Sequence, residues 1–157
     1  MMKILGGAKL IVLSLLMHAP PSDTIPPVLI GRWDVGVPYN TSGPIGIDAK
    51  QEKFIRQLHL SYTAEHLRVC GKTIPIRPIK MKSLISDEFL ETYGFLPHVI
   101  GMESSPIIDL TISPSDGMNA CGEYEDPGVH VLIGSGGHIV MEVANDYFPL
   151  KKPQDPK

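Results

Sequence analysis

Five histidines downstream of residue 19 offer the widest chemical range in this sequence, because a neutral imidazole can act as a base or ligate a metal near neutral pH. They are His59, His66, His98, His130 and His138. His59 and His66 flank a predicted turn, and they lack the i, i+4 pairing and the glutamate of a zinc-protease helix. We therefore expect no metal site, and His130 is the best single candidate for contact with a ligand.

The last two histidines lie in the most clearly patterned hairpin of the sequence, residues 129–143. With Ser135-Gly136 as a two-residue turn, Ile133 faces His138. Because side chains alternate along a strand, His130 and His138 are then predicted on opposite faces, where they cannot form one site. The residues predicted to share the face of His130 are Leu132, Ile139 and Met141. Those predicted to share the face of His138 are Ile133 and Val140.

The glycine run around that turn, residues 134–137, could be mistaken for a catalytic or phosphate-binding loop. It lacks the Gly-Lys-Ser/Thr ending of a phosphate loop and leads into a β-patterned segment. It is not a nucleophile elbow either, because Ile133 stands where Gly-x-Ser-x-Gly requires glycine two residues before Ser135. We predict no catalytic residues, no enzymatic activity and no cofactor.

Two cysteines, Cys70 and Cys121, are the other reactive side chains. In an exported chain an even pair predicts a disulfide, and closing a loop of about 50 residues would stabilise the fold by roughly 4 kcal/mol. The alternative is a pair of buried free thiols. Zinc binding is disfavoured, because neither cysteine belongs to a Cys-x-x-Cys pair and no histidine lies at a zinc-finger spacing.

The compartment follows from the N-terminus, where Lys3 and Lys9 precede an apolar run, residues 10–17, that ends at Ala19-Pro20. This pattern predicts an export signal over residues 1–19 and a secreted or periplasmic protein. The run is too short for a stable membrane anchor, which needs about 20 apolar residues. The alternative is a cytosolic protein whose leader packs into its own core. Asn40-Thr41-Ser42 would be a glycosylation site only in a eukaryotic secretory route.

Charge excludes one class of partner. The chain has 14 Lys and Arg against 17 Asp and Glu, and loss of Lys3 and Lys9 with the leader leaves a formal charge of −5. No basic cluster longer than Lys151-Lys152 occurs, so we expect no nucleic-acid binding.

The remaining sequence predicts a proline-rich linker over residues 20–28, one domain over residues 29–152 and a tail over residues 153–157. Strands are predicted over residues 29–35, 58–62, 67–69, 107–112, 129–133 and 138–143. Residues 73–81 also alternate, but Pro75 and Pro78 restrict them to a sheet edge. Short helices are predicted after Asp48, with Gln51 completing a capping box, and from an N-cap at Ser86 to Gly94. The fold class is mainly β with two short helices.

Gly31-Arg32-Trp33, shortly after an export signal, resembles the Gly-x-Trp pattern that opens lipocalin-like β-barrels. The wider layout is similar to small exported bacterial proteins of unknown function. The resemblance implies a small antiparallel barrel with a cation from the last strand over Trp33, where only Lys151 or Lys152 is available. The other stretches that carry it are Leu60-Ser61-Tyr62-Thr63-Ala64, Ser86-Asp87-Glu88-Phe89-Leu90 and Tyr147-Phe148-Pro149-Leu150-Lys151.

These observations predict an exported, monomeric, non-enzymatic β-barrel that binds a small apolar ligand in its mouth or an extracytoplasmic partner protein. The candidate ligand contacts are Trp33, Tyr62, His130 and Met141. The alternative function is an envelope inhibitor of a lysozyme or protease, acting through an exposed acidic loop, residues 122–126. The acidic side chains of that loop are Glu123, Glu125 and Asp126.

Overall fold

The computed structural model describes residues 24–43, 46–103, 106–113, 119–122 and 126–154. The predicted export signal, the first part of the predicted linker and most of the predicted C-terminal tail lie outside these residues. Pro27–Leu29 form a short 3-10 helix, so the first strand begins at Gly31 and not at Leu29 as the pattern predicts. The amides of Leu29 and Ile30 donate to the carbonyls of Pro26 and Pro27, at 3.0 and 3.1 Å, and this turn replaces the start of the strand.

The described residues fold mainly as β-structure, in one sheet of nine antiparallel strands that curls into a half-barrel. This confirms the predicted fold class. In space the strands follow the order β4-β3-β2-β1-β9-β8-β7-β6-β5, so the last strand pairs with the first. The strands are β1 (Gly31–Val35), β2 (His59–Tyr62), β3 (His66–Val69), β4 (Lys72–Pro75), β5 (Ile79–Leu84), β6 (Ile107–Ile112), β7 (His130–Ile133), β8 (Ile139–Val143) and β9 (Asp146–Lys151).

The predicted edge segment, residues 73–81, supplies both edges of the sheet. It divides at its prolines into β4, which ends at Pro75, and β5, which begins directly after Pro78. A proline donates no backbone hydrogen bond, so each is tolerated where a strand ends or lacks a neighbour. The sheet therefore remains open between β4 and β5, and β4 and β5 are its two edge strands.

Two short α-helices, α1 (Ala49–Ile55) and α2 (Ser86–Tyr93), and a second 3-10 helix, Pro97–Ile100, complete the regular structure of the described residues. The predicted capping box of α1 is confirmed: Asp48 Oδ1 accepts from the Gln51 amide and Gln51 Oε1 accepts from the Asp48 amide, both at 2.7 Å. The predicted start of α2 is wrong by one residue. Ile85 is the N-cap and Glu88 accepts from its amide at 3.1 Å, so Ser86 is already helical. Gly94 ends α2 at φ 77°, as predicted.

The predicted register of the β7–β8 hairpin is also wrong by one residue. Ile133 pairs with Ile139 instead of His138. The Gly137 amide donates to the Gly134 carbonyl at 3.0 Å and the Gly134 amide donates to the His138 carbonyl at 2.8 Å, which makes a three-residue loop. Gly137 closes this loop at φ 76°, a conformation that glycine adopts without strain. The shift replaces Ile139 and Met141 beside His130 with Val140 and Glu142.

Two apolar clusters lie on opposite faces of the sheet. The inner cluster lies inside the curl and draws buried side chains from eight of the nine strands; only β5 contributes none of its fully buried side chains. The outer cluster lies on the other face, where α2 and the segment after it cover β6 to β9. The inner cluster includes Trp33, Tyr62, Met141 and Phe148. Members of the outer cluster are Leu84, Phe89, Ile100, Met102, Ile107, Leu132, Val140 and Tyr147.

The predicted disulfide is confirmed. Cys70 and Cys121, 51 residues apart, are bonded. The bond ties the β3–β4 turn to the long connection between β6 and β7, and both cysteines pack against the inner cluster. It therefore links one end of the sheet, at β3 and β4, to the connection between β6 and β7, close to the other end. Neither helix in the described part of the chain has the length and apolar character that crossing a membrane requires.

Candidate functional site

The four predicted ligand contacts do not lie together. Trp33, Tyr62 and Met141 belong to the inner cluster, with exposed fractions of 5%, 1% and 0%. His130 points to the opposite face of the sheet, beside the outer cluster. The structure thus groups three of the candidates in the interior and separates the fourth from them.

The polar atoms of the interior candidates are used within the fold. Trp33 Nε1 donates to the Leu29 carbonyl at 2.7 Å, and the Tyr62 hydroxyl donates to the Gly128 carbonyl at 2.7 Å. Burial raises the pKa of the Tyr62 hydroxyl, so it stays a neutral donor. Gly128 lies at φ 90° with Leu60 and Tyr62 against it, and a side chain there would collide with both. These contacts are those of a packed core.

Clefts among the described residues open on the outer surface. Four of them, with volumes of about 520, 320, 430 and 180 Å³, are lined mostly by loop residues, by α1 and by the outer cluster, and two of them also reach the inner cluster at Ile47 and Val35. None of these four is lined by Trp33, Tyr62 or Met141. A small apolar ligand would therefore have to displace core side chains to contact these three residues.

His130 belongs to a polar group that we call the His130 cluster: Tyr93, Asp109, His130 and Glu142. These residues come from α2, β6, β7 and β8 respectively. The observed β7–β8 register, continued by one pair, places Glu142 directly opposite His130. Asp109 lies on the neighbouring strand β6, diagonal to His130, whose direct partner is Thr111. Three adjacent strands and the helix above them thus converge on one imidazole.

Both nitrogens of that imidazole face a carboxylate. His130 Nε2 lies 2.9 Å from Asp109 Oδ1, and His130 Nδ1 lies 2.7 Å from Glu142 Oε2. The second contact is an ion pair without the alignment of a directed hydrogen bond, and among the described residues that oxygen has no hydrogen-bond donor. The Tyr93 hydroxyl donates to Asp109 Oδ2 at 2.8 Å. With both ring nitrogens occupied, the carboxylates cannot share a metal ion through His130.

The electrostatics fix the protonation of this group. Burial by itself would lower the pKa of His130, but the hydrogen bond to Asp109 and the charges of Glu142 and Asp109 outweigh it and raise that pKa to about 10. Burial likewise opposes the charge of Asp109, yet hydrogen bonds from His130 and Tyr93 lower its pKa. At neutral pH, His130 is an imidazolium between carboxylates, so it has no free lone pair with which to act as a base.

Sequence reasoning missed Asp109 and Glu142 as partners of His130. The alternation of β6 and β8 carries the signal, but only the correct hairpin register brings Glu142 to His130. His138, the other histidine of the hairpin, has a different partner: the Tyr39 hydroxyl lies 2.9 Å from His138 Nε2.

One acidic side chain of the predicted acidic loop, Asp126, is buried. Asp126 is 6% exposed, and its Oδ1 accepts from the amides of Ala120 and Cys121 at 2.5 and 3.3 Å. It therefore braces the connection that holds the disulfide and is not available to an enzyme target. Glu123 and Glu125 lie outside the described residues.

The cation expected over the interior tryptophan is present. Lys152 Nζ lies 3.8 Å from the centroid of the Trp33 ring and also donates to the Ile30 carbonyl at 3.3 Å. Comparison with known proteins gives no match: no family model, curated protein or solved structure is similar to this chain. The resemblance to lipocalin-like proteins stays a prediction.

The open edge of β5 is another feature that could bind a partner. Among the described residues β5 pairs with β6 alone. The Ser113 amide donates to the Pro78 carbonyl at 3.1 Å, so Pro78 and its alternate successors, residues 80, 82 and 84, direct their backbone groups towards β6. Ile79, Met81 and Ser83 consequently direct theirs towards the open side.

Proposed function

We propose that this chain is a non-enzymatic, extracytoplasmic binding protein that takes up an extended segment of a partner protein along β5. The open edge of β5 is the observation that carries the proposal. An added strand would bond to the amides and carbonyls of Ile79, Met81 and Ser83 and extend the sheet. The packed interior favours this reading over a small apolar ligand, because binding at the edge displaces no core side chain.

Charge along the edge selects the partner. Lys80 and Lys82 are exposed on the outer face of β5. Lys82 lies opposite Asp109, whereas Lys80 lies opposite the uncharged Thr111. Lysines at alternate positions repel a second copy of the same edge, which protects it from self-association. The same lysines attract a strand with acidic side chains at alternate positions, so the proposed partner segment is extended and acidic.

The test uses a synthetic eight-residue peptide in which glutamate and threonine alternate, with amide hydrogen exchange as the measurement. We expect the peptide to slow exchange at Ile79, Met81 and Ser83 and to leave β4 unchanged. A version of the peptide that is N-methylated on the amides facing β5, or a version with lysine in place of glutamate, should not slow exchange on β5. Unchanged exchange on β5 with the acidic peptide, or equal protection by the lysine peptide, would overturn the proposal.

A variant pair isolates the backbone contribution. Ser83→Pro removes one donor on the open side while keeping the ladder to β6, because edge strands tolerate proline there. We expect Ser83→Pro to weaken peptide binding and the control Ser83→Thr to preserve it. Saturable binding of an apolar dye that shifts the Trp33 fluorescence, without any peptide binding, would instead favour a small ligand and contradict the proposed function.

A further inference from the structure

A second surface site lies in the middle of the sheet, away from both edge strands, where β1 and β9 end beside α1. It is a cleft of about 430 Å³. Its lining residues are Val35, Gly36, Val37, Lys53, Arg56, Gln57 and Lys151. They come from three stretches of the chain that are distant in sequence, so no continuous basic motif marks the site.

Positive charge is concentrated in this cleft, although the chain as a whole is acidic. Among the described residues, the only carboxylate contact of these cations joins Arg56 to Glu52 at 3.4 Å, and both side chains are substantially exposed. Such exposed pairs contribute little and can rearrange. Lys53 and Lys151 have no ion pair in the described part of the chain. The cross-strand neighbour of Lys151, Asp34, already contacts His59 Nδ1 at 2.7 Å.

The last carbonyls of α1 already have backbone hydrogen-bond partners. Cations near a helix C-terminus often bond to its last carbonyls. Here the Gln57 amide donates to the Phe54 carbonyl and the Leu58 amide donates to the Ile55 carbonyl, both at 3.1 Å. These carbonyls therefore already have partners, and the side chains of Lys53 and Arg56 remain available to a ligand.

Gly36 brings Lys151 to the site. Its amide donates to the Pro149 carbonyl at 2.8 Å, and a side chain at this position would meet Pro149 Cγ at 2.8 Å and Lys151 Cε at 3.4 Å. Glycine thus allows β9 to lie close against the end of β1. Next to it, Val37 is 59% exposed, an apolar surface directly beside the cations.

We propose that this cleft binds a small organic anion, with its carboxylate or phosphate group between Lys53, Arg56 and Lys151 and a short apolar chain on Val37. Charge-assisted hydrogen bonds hold the anionic group. The exposed valine favours an anion with an alkyl chain over an inorganic ion. This site is separate from the β5 edge and does not depend on it.

The experiment is an amide-resolved NMR titration of the full protein at constant ionic strength, with hexanoate, hexyl phosphate, inorganic phosphate and hexanol as probes. We expect saturable shifts at Gly36, Val37, Gln57 and Lys151 with the two alkyl anions. Hexanoate and hexyl phosphate carry alkyl chains of nearly the same length, so a large difference in affinity between them identifies the preferred head group. Hexanol should give no saturable shift at these positions.

Matched variants give the controls. Lys53→Gln with Lys151→Gln should weaken the alkyl anions about tenfold, because two of the three cations are lost. Lys50→Gln with Lys72→Gln removes the same charge elsewhere and should leave affinity unchanged. Equal weakening in both pairs would reduce the effect to net charge and overturn the site. Hexanol binding as tightly as hexanoate would overturn the role of the cations, and phosphate equalling hexyl phosphate would overturn that of Val37.

Discussion

The inner cluster and the His130 cluster lie on opposite faces of the same strands and are built from opposite chemistry. On β8, Met141 is fully buried in the apolar interior, while the next residue, Glu142, contacts an imidazolium. The inner face stabilises the sheet by apolar burial, which is insensitive to pH. The outer face adds charged contacts whose strength depends on protonation. One sheet thus separates an apolar core, whose stability does not depend on pH, from a charged cluster, whose contribution does.

The His130 cluster also connects α2 to the sheet. Phe89 packs into the outer cluster, and Tyr93 of the same helix donates to Asp109 on β6. The His130 cluster therefore holds the helix to the sheet as well as joining three strands. Its position explains how a charged group can lie at a sheet surface in this fold: α2 shields it from solvent while supplying a hydroxyl donor.

The strongest test of the inner face is truncation of Phe148, which is fully buried there. Phe148→Ala should lower the free energy of unfolding by about 3–5 kcal/mol, because it removes apolar contacts and leaves a cavity. Phe54→Ala is the matched control, since Phe54 is 38% exposed, and it should cost about 1 kcal/mol or less. Urea denaturation measures both. Similar losses at the two positions would contradict a packed interior.

Removal of the disulfide should loosen the inner face more than the outer one. Replacing Cys70 and Cys121 by serine is expected to cost about 2–5 kcal/mol, since the bond restricts the unfolded chain over a long loop. Hydrogen exchange should increase first in β3 and β4, whose turn carries Cys70, while α2 stays protected. The reduced wild-type protein serves as a control for the serine substitutions. Loss of α2 protection before β4 would contradict the separation of the two faces.

The pH dependence of stability should come from the outer face. The folded pKa of His130, about 10, lies above its ordinary value of 6.5, so its stabilisation is complete below that value and is lost as the pH rises towards 10. Between pH 7 and 9 the free energy of unfolding should fall by up to about 1.4 kcal/mol per pH unit. Urea denaturation at three pH values tests this.

Two histidine variants test whether His130 causes this pH dependence of the free energy of unfolding. His130→Gln should lose it, whereas His59→Gln should keep it, because His59 lies in an exposed pair with Asp34. Phe148→Ala should lower stability by a similar amount at each of these pH values, since it alters the apolar face alone. A slope that persists in His130→Gln would show that another group governs the pH response.

Much of the fold follows from local pattern. The strand over residues 107–112, the hairpin of β2 and β3, the capping box at Asp48 and the edge position of the proline segment can each be predicted from neighbouring residues. Strand β9 cannot, because Pro149 interrupts it at the centre of the sheet. The structure accommodates this proline where β1 pairing ends: its carbonyl accepts from Gly36, and its missing donor would point to the same side.

The His130 cluster was harder to predict, because it depends on the register of the β7–β8 hairpin. A two-residue turn and a three-residue turn fit the glycine run equally well in sequence, yet they place opposite faces of β8 beside His130. Gly137 decides between them through its left-handed conformation, which becomes apparent only once the loop closes. From the sequence pattern alone, Asp109 and Glu142 are expected to be solvent-exposed strand residues, and only the register shows that they contact His130.

The smallest expected effect lies at the rim of the inner cluster, where Lys152 covers Trp33. Lys152→Ala should lower the free energy of unfolding by about 0.5–1 kcal/mol, because a cation over an indole ring at an exposed site contributes about that much. Lys152→Arg keeps the charge and should retain most of the stability, and Lys151→Ala removes an adjacent cation that does not contact the ring. Trp33 fluorescence during urea denaturation reports all three. Equal losses in Lys152→Ala and Lys151→Ala would attribute the effect to net charge, whereas a loss confined to Lys152→Ala shows that the inner face ends in a specific cation–aromatic contact.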